Sequence, residues 1–117
     1  MEYLLLIYSP EKELEKRSPA DYAALSAEYG KFTADLKEKG HYKGGNPLQP
    51  TSTATTVRAH NGKVLKTDGP FAETKEQLGG YYLVEAKDLD EALKLAARIP
   101  GAKVGSIEVR PVMVFNG

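Results

Sequence analysis

The 117-residue sequence contains no cysteine and only two histidines. Without thiols it can form no disulfide framework, no thiolate nucleophile and no cysteine-based metal site. His41 and His60 show no regular spacing with carboxylates, which a zinc site would need. We therefore expect neither a metal nor another cofactor.

An excess of charge of one sign is also missing, because 16 basic residues balance 16 acidic ones. Nucleic acids and anionic membranes are bound through basic faces, so both are poor candidate partners. The longest apolar run, Leu4 to Ile7, is far shorter than the roughly 20 residues that cross a bilayer. The first residues also lack the basic segment and the cleavage site of an export signal. These absences predict a cytoplasmic protein that binds neither nucleic acid nor membrane.

The length predicts a single domain over residues 1–117, since one domain typically has about 100 to 150 residues. Ser18 and Pro19 are typical of a helix N-terminus, and Gly40 is typical of the residue that ends a helix. An apolar stripe follows at steps of three and four, which indicates one buried helix face. Its members are Tyr22, Leu25, Tyr29, Phe32 and Leu36.

Strands and a second helix are predicted after this first helix. Asn61-Gly62 is typical of a two-residue hairpin turn, so residues 64–66 should return antiparallel to residues 55–57. Residues 68–79 are predicted to form a loop with one helical turn at 73–78, and residues 81–84 a strand. Asp88 and Glu91 have the spacing of a capping box at the second helix. Its predicted buried stripe is Leu89, Ala92, Leu93, Ala96 and Ile99, before Pro100-Gly101 and a closing strand at residues 106–110.

This element order predicts an α+β fold, a ferredoxin-like split βαβ unit with an inserted β-hairpin. Two helices can cover only one face of a four-stranded sheet. The first strand, Tyr3 to Tyr8, is apolar at every position and so requires cover on both faces. Large exposed apolar patches are rare in monomers, so we expect a homodimer that packs sheet against sheet.

Residues 67–82, TDGPFAETKEQLGGYY, resemble the signature of the DGPF branch of the YCII-related family. The flanking segments 53–58, 97–100 and 107–111 are similar to the family as well, so the resemblance covers nearly the whole chain. It implies a dimeric α+β barrel. Most members have no assigned reaction, some are linked to extracytoplasmic-function sigma factors, and a related branch includes a dehydrochlorinase that acts on a chlorinated hydroquinone.

The resemblance does not carry a catalytic pair to this chain. A proposed active site of YCII-type proteins pairs a histidine on the first helix with an aspartate, but the predicted first helix, residues 19–39, contains no histidine. Only Asp68 can stand for the acidic half. Asp68 is either a general acid or base or the side chain of an Asx turn that bonds a downstream backbone N–H.

Each of the other candidate ligand contacts also has a structural interpretation. Lys75 and Glu73 could contact a substrate, or they could form exposed ion pairs. Arg58 and Arg110 could bind a carboxylate, or they could pair with glutamates across the sheet. Tyr82, together with Tyr8, Tyr29 and Tyr81, could line a pocket for a planar ligand or pack in the core or at an interface.

Two functions follow from these alternatives. The favoured one is a dimeric binding or regulatory module that acts on a small molecule or a sigma factor, because no nucleophile, metal set or histidine acid–base partner is present. The other is a lyase-type or isomerase-type enzyme that acts on a phenolic or anionic substrate near Asp68, Lys75 and Arg110.

Overall fold

A computed structural model describes residues 1–115 and contains six strands and three helices in that range. In chain order the elements are β1 (Glu2–Ser9), α1 (Glu11–Leu14), α2 (Pro19–Glu38), β2 (Tyr42–Pro47), β3 (Thr55–His60), β4 (Lys63–Asp68), β5 (Gln77–Glu85), α3 (Leu89–Ala97) and β6 (Ser106–Pro111). Short 3-10 turns occupy Thr51–Thr53 and Pro100–Lys103. Within residues 1–115, no helix is long and apolar enough to span a membrane.

Four strands form an antiparallel sheet in the order β2-β5-β1-β6, and β3 and β4 pair with each other in a separate two-stranded sheet. The α+β class, the four-stranded antiparallel sheet and the separate hairpin are therefore confirmed. Helices α2 and α3 follow β1 and β5, which gives the strand–helix–strand order expected of each half of a split βαβ unit.

The ends of the two long helices follow from their capping residues. The Ser18 hydroxyl accepts a hydrogen bond from the Asp21 backbone N–H at 3.1 Å, and the Asp88 carboxylate accepts one from the Glu91 N–H at 2.9 Å. Gly40 follows α2 with a φ of 79°, a backbone conformation that favours glycine. These three sequence predictions are confirmed.

The core lies between the helices and one face of the sheet. Alternate residues of β1 are buried, as the two-residue period of a strand requires. Buried residues from β1, β5 and both long helices form one apolar cluster. It consists of Tyr3, Leu5, Ile7, Phe32, Leu36, Tyr82, Val84, Ala86, Ala92, Leu95, Ala96 and Ile99.

The hairpin of β3 and β4 extends away from this core, and nearly all its residues are exposed. The radius of gyration is accordingly 16.3 Å, compared with about 13 Å for a compact domain of 100 residues. The turn has positive φ at Asn61 and Gly62, as predicted. The predicted register was wrong by two residues, because Lys66 pairs with Val57 and Val64 with Ala59. A two-residue turn at 61–62 requires this register.

Two other sequence predictions also fail. No helical turn forms at residues 73–78, because β5 begins at Gln77 and its pairing with β1 extends to Ser9. Leu89 and Leu93 are 47% and 46% exposed, and Leu95 is buried in their place. The buried residues of α3 are Ala92, Leu95 and Ala96, so its buried stripe is rotated from the predicted one.

An ion-pair cluster joins the C-terminal half of α2 to α3. The Asp35 carboxylate lies 2.6 Å from the Arg98 guanidinium and 3.2 Å from the Lys39 ammonium. The Arg98 guanidinium also lies over the Phe32 ring, 5.4 Å from its centroid. The hydrogen bonds from Arg98 and Lys39 hold the pKa of Asp35 below its usual value.

We predict a matching pH dependence of the free energy of unfolding. Because the pKa of Asp35 is lower in the folded state, its contribution is present above the ordinary pKa of 3.8 and is lost as pH falls through the folded-state value. Urea unfolding between about pH 2 and pH 6 should therefore show a smaller acid-induced loss in Asp35→Asn than in the unmodified protein. Asp90→Asn, on the exposed start of α3, is the control for net charge. Equal acid sensitivity in all three proteins would contradict the prediction.

Candidate functional site

The two halves of α2 contact the sheet differently. Phe32 and Leu36 in the C-terminal half are buried in the core. Closer to the N-terminus the same apolar stripe is open, since Leu25 and Tyr29 are only partly buried and Tyr22 is 45% exposed. The predicted stripe is therefore correct in spacing, but only its last two members are fully buried.

A cavity of about 840 Å³ lies along this open half of the stripe. Such a volume is typical of small-molecule sites. We call it the tyrosine cavity because five of its lining residues are tyrosines. Its walls are mainly apolar and come from α1, α2, β1, β2, β5 and the turn after α3. They include Ile7, Ser9, Glu11, Leu14, Glu15, Tyr22, Leu25, Ser26, Tyr29, Gly30, Thr33, Lys37, Tyr42, Asn46, Leu48, Pro50, Gln77, Tyr81, Tyr82 and Gly101.

Tyr29 crosses the cavity wall from α2 to the turn that follows α3. Its hydroxyl oxygen accepts a hydrogen bond from the Gly101 backbone N–H at 3.1 Å. A Cβ atom at position 101 would lie 2.7 Å from that oxygen and 3.3 Å from the Ile7 side chain. The absence of a side chain at Gly101 is therefore what allows the hydroxyl to approach the backbone.

A second hydroxyl pair lies at the cavity wall between α2 and β5. The Tyr82 and Thr33 hydroxyl oxygens are 2.7 Å apart, and either can be the donor. The Tyr82 ring is fixed by edge-to-face contacts with Phe32 and Tyr42, at centroid distances of 5.4 Å and 6.4 Å. Tyr82 thus belongs to both the core and the cavity.

Both phenols are held in their neutral form. Burial raises the pKa of Tyr29, partly opposed by the Gly101 hydrogen bond, and a nearby Tyr82 raises it further. Burial likewise raises the pKa of Tyr82, opposed by its hydrogen bond with Thr33. At neutral pH the two side chains are therefore hydrogen-bonding phenols and not phenolates.

Charged groups of the cavity include the Glu11 carboxylate on α1 and the Lys37 ammonium beside the Tyr42 ring. The Glu11 carboxylate is bonded to Thr51, accepting from its backbone N–H at 2.9 Å and from its hydroxyl at 2.8 Å. The Lys37 ammonium lies 4.9 Å from the Tyr42 ring centroid. No cluster of three or more histidine, aspartate or glutamate side chains suited to a metal ion occurs within residues 1–115.

Most of the residues that the sequence singled out lie away from the cavity. Asp68, Glu73, Lys75, Arg58 and Arg110 are exposed and do not line it, whereas Tyr82 does. Among the described residues, the Asp68 carboxylate accepts no hydrogen bond, so the Asx turn does not form there. Arg110 pairs with Glu108 at 2.6 Å, along its own strand and not across the sheet. Of the four tyrosines proposed to line a pocket, Tyr29, Tyr81 and Tyr82 do so.

The sequence of α2 contains a second pattern, which indicates the cavity and was not used in predicting the site residues. Ser26, Gly30, Thr33 and Lys37 recur at steps of three and four, so they form a stripe of polar residues and one glycine beside the apolar stripe on α2. Gly30 lies within this stripe, and a Cβ atom there would meet open space. A polar stripe with a glycine on an otherwise apolar face is a reason to expect a cavity.

Comparison with known proteins identifies the family. The model of the YCII-related domain matches residues 1–116. The chain belongs to the YCII-related family. An uncharacterised protein of Rhizobium meliloti (strain 1021) is 38% identical over an alignment of 125 residues. The alignment covers 99% of this chain and 95% of that protein.

A solved structure has the same overall fold as this YCII-related protein. It is 5-chloro-2-hydroxyhydroquinone dehydrochlorinase from Burkholderia phenoliruptrix AC1100, in complex with 2,5-dihydroxybenzoquinone. The match has a TM-score of 0.54 and 20% sequence identity, and it covers 97% of this chain and 94% of that chain. Similarity at this level establishes a common fold.

We predict that Gly101→Ala destabilises the protein through Tyr29. The new methyl group displaces the Tyr29 hydroxyl and breaks its hydrogen bond, which should lower the free energy of unfolding by about 1 kcal/mol. In a Tyr29→Phe background there is no hydroxyl to displace, so the same substitution should cost less. Denaturant unfolding of the four proteins measures this coupling. An equal loss in both backgrounds would show that the contact does not matter.

Proposed function

We propose that this protein is a homodimeric binding module of the DGPF branch whose ligand is a planar small molecule held in the tyrosine cavity. The cavity is the observation that carries the proposal. Apolar and aromatic walls with a few polar groups are the usual composition of a small-molecule site. The run Asp68-Gly69-Pro70-Phe71 is what supports the branch assignment.

The shape and chemistry of the walls favour an aromatic ring. Tyr22, Tyr42 and Tyr82 offer ring faces and edges, and aromatic groups pack favourably in offset or edge-to-face arrangements. The phenol of Tyr29 and the Tyr82–Thr33 pair offer hydrogen bonds. Phenols, hydroxybenzoates and quinones combine both features. The dehydrochlorinase of similar fold holds a ring of this kind, 2,5-dihydroxybenzoquinone.

Binding is favoured over catalysis by the groups that line the cavity. None of its lining residues is a histidine or a cysteine, the Glu11 carboxylate is engaged by Thr51, and the other lining carboxylate, Glu15, is an exposed side chain. The alternative, a lyase-type or isomerase-type reaction at Asp68, places the acid or base on an exposed carboxylate outside the cavity. Such a reaction would require Asp68 of a second copy to approach the ligand.

The homodimer is proposed from the sheet face opposite the helices. The side chains of Leu4, Leu6 and Leu83 alternate with buried residues, so they lie on that face. Leu4 pairs with Leu83, and Leu6 lies two residues further along β1 on the same face, which places an apolar surface across β1 and β5. A second copy carries the same surface, and two-fold pairing is the commonest way to cover it. The sigma-factor link implied by the family resemblance stays a prediction.

We predict that Leu6→Glu disrupts this dimer. A carboxylate in the centre of the proposed interface would be desolvated without a partner. Light scattering at micromolar concentration should give the mass of two subunits for the unmodified protein and of one subunit for Leu6→Glu. Leu93→Glu, on the exposed face of α3, is the matched control and should remain dimeric. A single-subunit mass for the unmodified protein would refute the dimer.

We predict that filling the cavity abolishes binding without unfolding the protein. Gly30→Leu projects a side chain into open space at the cavity wall and replaces glycine with a better helix former. Thermal-shift and calorimetric screening with phenols, hydroxybenzoates and hydroxyquinones should find ligands for the unmodified protein that do not bind Gly30→Leu. Ala27→Leu adds bulk to an exposed position of the same helix and should retain binding. If no ring compound binds, or if the two variants bind alike, the proposed site is wrong.

A further inference from the structure

We infer that the tyrosine cavity selects a ring that presents an oxygen acceptor to the Tyr29 hydroxyl and a second oxygen substituent to the Tyr82–Thr33 pair. This inference rests on the proposed function and specifies the ligand of that same site. It follows from the protons and lone pairs of each cavity hydroxyl that are not already engaged in hydrogen bonds within the protein.

The direction of the Tyr29 hydrogen bond is fixed by its partner. A backbone N–H can only donate, so the Tyr29 oxygen accepts from Gly101. Among residues 1–115 the hydroxyl has no other hydrogen-bond partner, which leaves its own proton to be donated. Because Tyr29 lines the cavity, a ligand atom placed beside its hydroxyl is favoured if it is an acceptor.

The Tyr82–Thr33 pair has different requirements. The two hydroxyls share one hydrogen bond of 2.7 Å, which uses one of their two protons. One proton and several lone pairs remain, so this pair can donate to a ligand oxygen or accept from a ligand hydroxyl. The pair therefore accommodates a second oxygen substituent that is either a hydrogen-bond donor or an acceptor. The Tyr29 hydroxyl, in contrast, favours an acceptor over a donor.

Tyr22 provides the contrast that makes the inference testable. It also lines the cavity, but its hydroxyl donates to the Leu14 carbonyl oxygen at 2.7 Å. Its proton is already used, so Tyr22 cannot favour an acceptor on the ligand in the way that Tyr29 does.

The test compares two phenols of nearly equal shape, 4-hydroxyacetophenone and 4-isopropylphenol, by isothermal titration calorimetry. The first carries a carbonyl acceptor where the second carries only carbon. The unmodified protein should bind 4-hydroxyacetophenone about five- to tenfold more tightly, the ratio that one hydrogen bond typically gives. Tyr29→Phe should bind both compounds with similar affinity. Tyr22→Phe, the matched loss of a phenol oxygen, should retain the preference.

The outcomes separate this inference from the proposed function. Binding of both phenols without preference by the unmodified protein would overturn the acceptor rule and leave the cavity as the binding site. A preference that survives in Tyr29→Phe would overturn the assignment to Tyr29. If neither phenol, nor 4-hydroxybenzoate as a third probe, binds, both the proposed function and this inference fail. The comparison in the unmodified protein requires no variant, so it decides the acceptor rule even if Tyr29→Phe is unstable.

Discussion

The hydrogen bond from the Gly101 backbone to the Tyr29 hydroxyl is the contact on which the proposed site depends. It joins α2 to the turn after α3 through the end of a long side chain, at 3.1 Å between nitrogen and oxygen. An apolar residue at position 29 would gain most by packing directly on the sheet. A phenol instead spans the gap, with its ring on the wall and its oxygen on a backbone donor. The N-terminal half of α2 can therefore be supported while the volume beneath it stays open.

The same helix consequently performs two roles. Its C-terminal half contributes Phe32 and Leu36 to the core, and the Asp35–Arg98 ion pair ties that half to α3. Its polar side chains from Tyr22 to Lys37, including Tyr29 and Thr33, contribute phenol, hydroxyl and ammonium groups to the tyrosine cavity. Firm packing toward one end of the helix and an open face toward the other leave a preformed cavity beneath it.

The sequence predicted most of the fold and little of the site. Local chemistry determined the helix starts at Ser18 and Asp88 and the turn at Asn61-Gly62, so these were predicted correctly. Helix rotation and the ends of paired strands depend on tertiary packing, so the exposure of Leu89 and the start of β5 at Gln77 were not. The conspicuous run around Asp68 drew attention to exposed residues. The cavity instead arises from Tyr29 and Gly101, 72 positions apart, which only the fold brings together.

The central claim is that α2 leaves the sheet at its N-terminal half because Tyr29 spans the gap to Gly101. A high-resolution crystal structure tests it most directly, through the distance from the Tyr29 oxygen to the Gly101 nitrogen and the volume beneath the helix. We expect a hydrogen-bonded distance and a cavity that admits a single aromatic ring. A helix packed on the sheet along its whole length, with Tyr22 and Leu25 buried and no cavity, would contradict the account.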